Sequence, residues 1–130
     1  LEAVRAAQSK GILPGGGTAL LKTSVTLNEA DYEWDNPDQK VAVEILRKAL
    51  QSPVRQMAKN AGMSEDLAVA DATKIEDWDR GWDFSSGELK NMIGAGIIDP
   101  ALVTCTALKN AVSVSSTLIT TNFAIVEVGD

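Results

Sequence analysis

Three consecutive glycines, Gly15, Gly16 and Gly17, follow Pro14 and precede Thr18. Glycines that open a helix let backbone amides approach an anion at the positive end of the helix dipole, with no side chain in the way. The same run can also serve as a plain connector. Neither a Gly-x-x-x-x-Gly-Lys-Ser/Thr nor a Gly-x-Gly-x-x-Gly pattern is present, so a nucleotide bound here is bound by another design than a Walker loop or a Rossmann turn. Asp99 before Pro100 has the local signature of a helix N-cap. A carboxylate there can also accept hydrogen bonds from ribose hydroxyls, and the two roles are compatible. The third candidate is the acidic stretch 77–88. Counted from Asp77 as a twelve-residue calcium loop, Asp79, Asp83, Ser85 and Glu88 fall at positions 3, 7, 9 and 12. Gly81 and Trp82 then take positions 5 and 6, where a side-chain ligand and a glycine are needed, which makes a solvated acidic hairpin the simpler reading.

Composition removes other chemistries. With no histidine and one cysteine, Cys105, the chain lacks the usual imidazole base, the commonest nitrogen ligand for zinc, and any internal disulfide. The 130 residues carry 12 Lys+Arg against 18 Asp+Glu, a net charge of −6, without a basic run. That balance argues against DNA, RNA and anionic membranes as partners. An apolar content of 45% is enough for one folded domain. No apolar run approaches the roughly 18 residues that span a bilayer, and no basic-then-apolar signal pattern opens the chain, so an intracellular setting is expected. Residues 1–10 read as a helix entered in mid-course without a cap, the pattern expected of a piece of something longer.

The elements that must position these residues are mostly helical. A helix over 1–10 stops at Gly11, and Ile12, Leu13 and Pro14 make a rigid lead-in to the glycines. A helix is predicted over 18–28, an acidic turn over 31–37, and a helix from Pro37 with Val41, Ile45 and Leu46 inward. Pro53 should break that helix near Ser52, with a short continuation to Asn60 ended by Ala61 and Gly62. Ser64 caps a helix through Thr73. Residues 74–83 read as a small hairpin with turn signals at Arg80-Gly81 and Ser86-Gly87, and 88–93 as one or two helical turns. The longest helix runs over 100–121, with Val103, Ala107, Ala111, Val114 and Leu118 on one apolar stripe. Residues 122–128 read as a strand.

Taken in order, the blocks Gly11-Ile12-Leu13-Pro14-Gly15-Gly16-Gly17-Thr18-Ala19-Leu20-Leu21, Ser52-Pro53-Val54-Arg55-Gln56, Lys59-Asn60-Ala61-Gly62, Gly96-Ile97-Ile98-Asp99-Pro100 and Ala107-Leu108-Lys109-Asn110-Ala111 resemble the group I chaperonins, the ring-forming folding machines of bacteria, mitochondria and chloroplasts. The resemblance covers residues 1–130 and implies a partial equatorial domain, the ATP-binding and ring-contact part. The implied fold is mainly α, a helical bundle with a small β-hairpin and a C-terminal edge strand at 123–128. The N-terminal half of that domain, the intermediate domain and the apical domain fall outside these residues.

Carried over residue by residue, the resemblance places Gly16 in the lining of the nucleotide site and gives Asp99 the ribose. Asp83, Phe84 and Ser85 stand where the family has Asn-Ala-Ala beside adenine, and Ile97 supplies an apolar wall. Asp83 loses the donors of an amide, and the larger Phe84 either stacks on the base or blocks it. Arg55 and the loop 62–66 match the surface where two rings touch. The implied cofactor is ATP or ADP with Mg²⁺. The family's Gly-Asp-Gly-Thr-Thr phosphate loop and its water-positioning aspartate are not among these residues, and hydrolysis needs both metal and in-line water, so little ATPase activity is expected of them alone. The implied partners are identical or homologous subunits in a ring. Non-native polypeptide and co-chaperonin would be met only through other domains, in a bacterial cytoplasm or organelle matrix. A different class of reading, a non-enzymatic helical interaction module, keeps the fold without the chemistry.

Overall fold

The computed structural model describes residues 11–29 and 37–128, with side chains described through residue 27 and over 37–119. The predicted first helix and most of the acidic turn lie outside them. The chain divides into two compact units, residues 13–98 and residues 1–12 with 99–130.

In the larger unit, α1 (Thr18–Glu29), α2 (Pro37–Asn60) and α3 (Glu65–Thr73) enclose a core of Leu21, Val54, Val69 and Ala72. Trp82, Phe84 and Leu89 of a β-hairpin pack against it. Gly62, just after α2, has φ +75°, a left-handed conformation that suits it to a helix end. Ser64 caps α3, its hydroxyl accepting from the Leu67 amide.

Three expectations need correction here. Helix α2 does not break at Pro53 but runs through it to Asn60. An internal proline costs about 3 kcal/mol, whereas burying an aliphatic side chain returns roughly 1.5–3 kcal/mol. Leu50, Val54 and Ala58, on both sides of Pro53, are 3% exposed or less, so packing outweighs the lost hydrogen bond. Val41 and Ile45 do not point inward; they are 57% and 64% exposed, because the buried residues of α2 begin at Leu50. Leu46 is half-buried.

The hairpin exists but its turn lies elsewhere. Strand β2 (Arg80–Asp83) pairs antiparallel with β3 (Glu88–Asn91), with Trp82 opposite Leu89. Arg80 and Gly81 are therefore strand, and 88–91 is strand where helical turns are predicted. The chain reverses at 84–87, closed by the Gly87 amide donating to the Asp83 carbonyl at 2.8 Å with Gly87 at φ +74°. The apolar cross-strand pair Trp82/Leu89, both on the core, overrides the helical tendency of Glu-Leu-Lys. β2 also runs through the middle of the trial calcium loop. Among the described residues, no three acidic, cysteine or histidine side chains gather as a metal would need.

A second two-stranded sheet joins β1 (Ile12–Pro14), the expected lead-in, to β4 (Ile98–Pro100). In the smaller unit, α4 (Ala101–Val128) follows β4 directly, and the Ala101 amide donates to the Gly11 carbonyl at 2.9 Å. Asp99 belongs to β4 and Pro100 ends it, so the helix opens after Pro100 and Asp99 is not its cap residue. The predicted edge strand is likewise helix through Val128. No glycine or proline occurs over 101–128, and a helix satisfies its own backbone where an unpaired strand cannot. The stripe predicted for α4 is open, with Val103 50%, Val114 58% and Leu118 58% exposed. Contrary to the expectation that no stretch is long and apolar enough to cross a bilayer, the window Ala101–Ile119 passes that test by length and composition. Seven Ser, Thr and Asn side chains and Lys109 interrupt its apolar residues.

Candidate functional site

The glycine turn is the centre of the site, and its surroundings explain its composition. The Gly15 amide donates to the Ile97 carbonyl at 2.8 Å, and a Cβ on Gly15 would stand 3.1 Å from the Ile97 carbonyl carbon. Gly16, at φ +65°, leaves room for the Met92 Cε, which would be 3.1 Å from an added Cβ, and for the Trp82 carbonyl at 3.4 Å. The turn therefore packs as well as connects: two other segments close against its backbone.

Its remaining amides are available. The Gly15 N–H is committed to Ile97, but the Gly16 and Gly17 N–H groups have no acceptor among the described residues. They stand at the N-terminal, positive end of α1, the arrangement from which a helix contacts a phosphate.

Met92 ties the surroundings together. It is fully buried, its amide donates to the Asp79 carbonyl at 2.7 Å, and its carbonyl accepts from the Ile97 amide at 2.9 Å. The structure thus brings together the glycine turn, Ile97 and the start of β2, whereas Asp83 ends that strand. Nothing in hydrophobic periodicity marks Met92 as this pivot; its part emerges only from packing.

At the far end of β2, the Asp83 carboxylate accepts from the Ser85 amide at 3.0 Å, the Ser85 hydroxyl at 2.6 Å and the Lys90 ammonium at 3.0 Å. The Ser85 hydroxyl and then Lys90 hold this carboxyl well below the usual carboxylate range. Asp83 is thus the local fastener of the hairpin turn, which gives this acid a structural role that an amide would perform less well. Phe84 lies on the Trp82 ring, centroids 6.4 Å apart at 24°, and both pack on the core. The Trp82 indole donates to the Ala68 carbonyl at 2.8 Å. Trp82 and Phe84, two apart along an extended chain, share one face, and that face is the core side. Ser85 is exposed. Asp99 belongs to the smaller unit and is exposed on β4.

Lys22 is the buried cation of this unit. Its side chain reaches the end of α3, donating to the carbonyls of Ala72 at 2.7 Å and Ile75 at 2.8 Å, a favourable place for a cation. Burial lowers its pKa, opposed in part by Asp77. Arg55 of α2 pairs with Asp66 in the first turn of α3 at 2.6 Å and donates to Gln51 at 3.3 Å.

Comparison with known proteins agrees in sequence and in fold. The model of the TCP-1/cpn60 chaperonin family matches residues 1–128. Chaperonin GroEL proteins of Orientia tsutsugamushi strains Boryong and Ikeda are 45% identical over 127 residues, 98% of this chain. The chain spans 23% and 22% of the length of these two relatives. Among solved structures, a group III chaperonin crystallised in the open state is 33% identical with a TM-score of 0.75, over 87% of this chain and 24% of that one. An open-state monomer of a group II chaperonin from Methanococcoides burtonii is 19% identical with a TM-score of 0.78, over 87% of this chain and 29% of that one, a likeness of fold alone.

Proposed function

The chain belongs to the TCP-1/cpn60 chaperonin family, and from this premise we infer that it contributes one wall of a nucleotide pocket and part of the subunit contacts of an ATP-dependent protein-folding chaperonin. The observation that carries the reading is the pair of uncommitted amides at Gly16 and Gly17, on a turn closed by Ile97 and Met92. Those amides would face a phosphate, Ile97 would flank the nucleoside, and the exposed Asp99 would accept from ribose hydroxyls. Phe84, engaged with Trp82 and the core, would neither stack fully on adenine nor displace it, and Asp83 would act on the base only through the hairpin it fastens.

The described residues do not gather a magnesium site, so no step of hydrolysis is assigned to them. ATP or ADP supplies the energy-bearing phosphates when bound; these residues orient it. The corresponding partners are further subunits of the same kind, with the open stripe of α4 and the Arg55–Asp66 surface as contact regions, in a bacterial cytoplasm or organelle matrix. The 45% identity to GroEL proteins favours this over an interaction module without chemistry. Titration of ADP by calorimetry, in a subunit of the relatives' length that carries these residues, is the test. Asp99→Ala, at an exposed position that packs on no core residue, should weaken ADP about tenfold, equivalent to 1.4 kcal/mol. Unchanged affinity overturns the assignment.

A further inference from the structure

A cleft of about 490 Å³ opens on α2 beside the start of α3, and only polar and charged residues line it. Arg47, Lys48 and Arg55 bring three cations to it, while Glu65 is its single acid, so its walls carry an excess of two positive charges in a chain whose net charge is −6. Arg47, Lys48, Gln51, Ser52 and Arg55 follow helical spacing along one face of α2. This cleft shares no residue with the glycine turn.

The existing contacts leave donors uncommitted. Arg47 pairs through one terminal nitrogen with Glu44, but its Nε is buried and has no hydrogen-bond partner among the described residues. Arg55 is held by Asp66 and Gln51. Lys48 has no ion pair or hydrogen bond among the described residues. A buried guanidinium N–H is seldom left without an acceptor, and a bound ion or water is the ordinary reason for an exception. A planar guanidinium beside a point-charge ammonium suits an oxyanion that offers several oxygens at once.

We propose that this cleft binds a small multivalent oxyanion of the phosphate class, with Arg47 and Lys48 as its principal contacts and the Ser52 hydroxyl and Arg55 on its margin. Free phosphate compounds and the polyphosphate of a nucleotide share this chemistry. The test is calorimetric titration of inorganic pyrophosphate, and separately of ADP, into the chain at constant ionic strength, with chloride as the reference anion. Saturable pyrophosphate binding is expected, weakened about tenfold or more in Arg47→Gln/Lys48→Gln, as loss of charge-assisted bonds implies, and unchanged in Lys109→Gln, an exposed cation of α4 outside the cleft. Sensitivity of ADP binding to the same double variant identifies the nucleotide as a second source; insensitivity identifies the free anion. Should the double variant fold poorly, Lys48→Gln, altering an exposed side chain, must by itself give a several-fold loss. Pyrophosphate binding no stronger than chloride, or equal in wild type and variants, overturns the proposal. Because the glycine turn is untouched, this result is independent of the Asp99 test.

Discussion

The glycine turn and helix α4 are both rich in small and apolar residues, yet they stand in opposite relations to their surroundings. At the turn, backbone from three segments meets at contact distance, and the residue types follow from the space left. Along α4 the apolar stripe is regular but open. Enclosure, more than apolarity, determines how strongly a position constrains the fold, because burial energy scales with area removed from water and exposed aliphatic residues gain little from it.

The sharpest way to break this contrast is in β2. An added Cβ at Gly81 would come within 2.1 Å of the Thr18 hydroxyl and 2.7 Å of its methyl, and Thr18 is itself buried. Overpacking on this scale costs about 3 kcal/mol or more, so Gly81→Ala should lower the urea midpoint further than any substitution on α4, and Thr18→Ala in the same chain should recover much of the loss. A Gly81→Ala chain as stable as wild type would mean the hairpin is not held against α1.

Next comes the buried cation. Lys22→Met removes the donor to two carbonyls at the end of α3, and each unsatisfied buried group costs about 1–3 kcal/mol. Chemical denaturation should show that loss. The direction of its pKa shift also gives a signature: a lysine with a depressed folded pKa binds protons less readily than in the unfolded chain. Stability should therefore rise with pH in the alkaline range just below 10.5, and this rise should vanish in Lys22→Met.

A matched pair of valines tests enclosure itself. Val54→Ala in the core should cost about 2 kcal/mol by lost contact and residual cavity, whereas Val114→Ala on the open stripe should change stability by less than about 0.5 kcal/mol. Equal losses by thermal melting would mean that α4 is covered in solution, and sedimentation would then find an associated species. The smallest effect belongs to Asp83. Its folded pKa is lowered, so its contribution is present above the unfolded value near 3.9 and is lost as pH falls through the folded one. Asp83→Asn should flatten the acid limb of the stability profile, with a melting temperature slightly below wild type at neutral pH.

Much of this was legible in the residues. Gly62 closes α2 and Ser64 opens α3 as their backbone preferences require. Expectations failed where tertiary packing opposed a local rule. Pro53 stays in a helix because Leu50, Val54 and Ala58 are buried around it, and residues 88–91 form a strand because Leu89 faces Trp82. A stripe in sequence such as that of α4 says which face is apolar and not what covers it. Asp83 is another such case: side-chain type suggested a ligand, while its actual partners, Ser85 and Lys90, are neighbours in the hairpin.

The anchoring of Trp82 also furnishes an optical reporter. Its indole is fastened to the Ala68 carbonyl and shielded by Phe84, whereas Trp78 is 47% exposed. With the third tryptophan removed as Trp34→Phe, iodide should quench emission from Trp78 while sparing Trp82, and undocking of the hairpin from α3 would register as a red shift of the protected component alone.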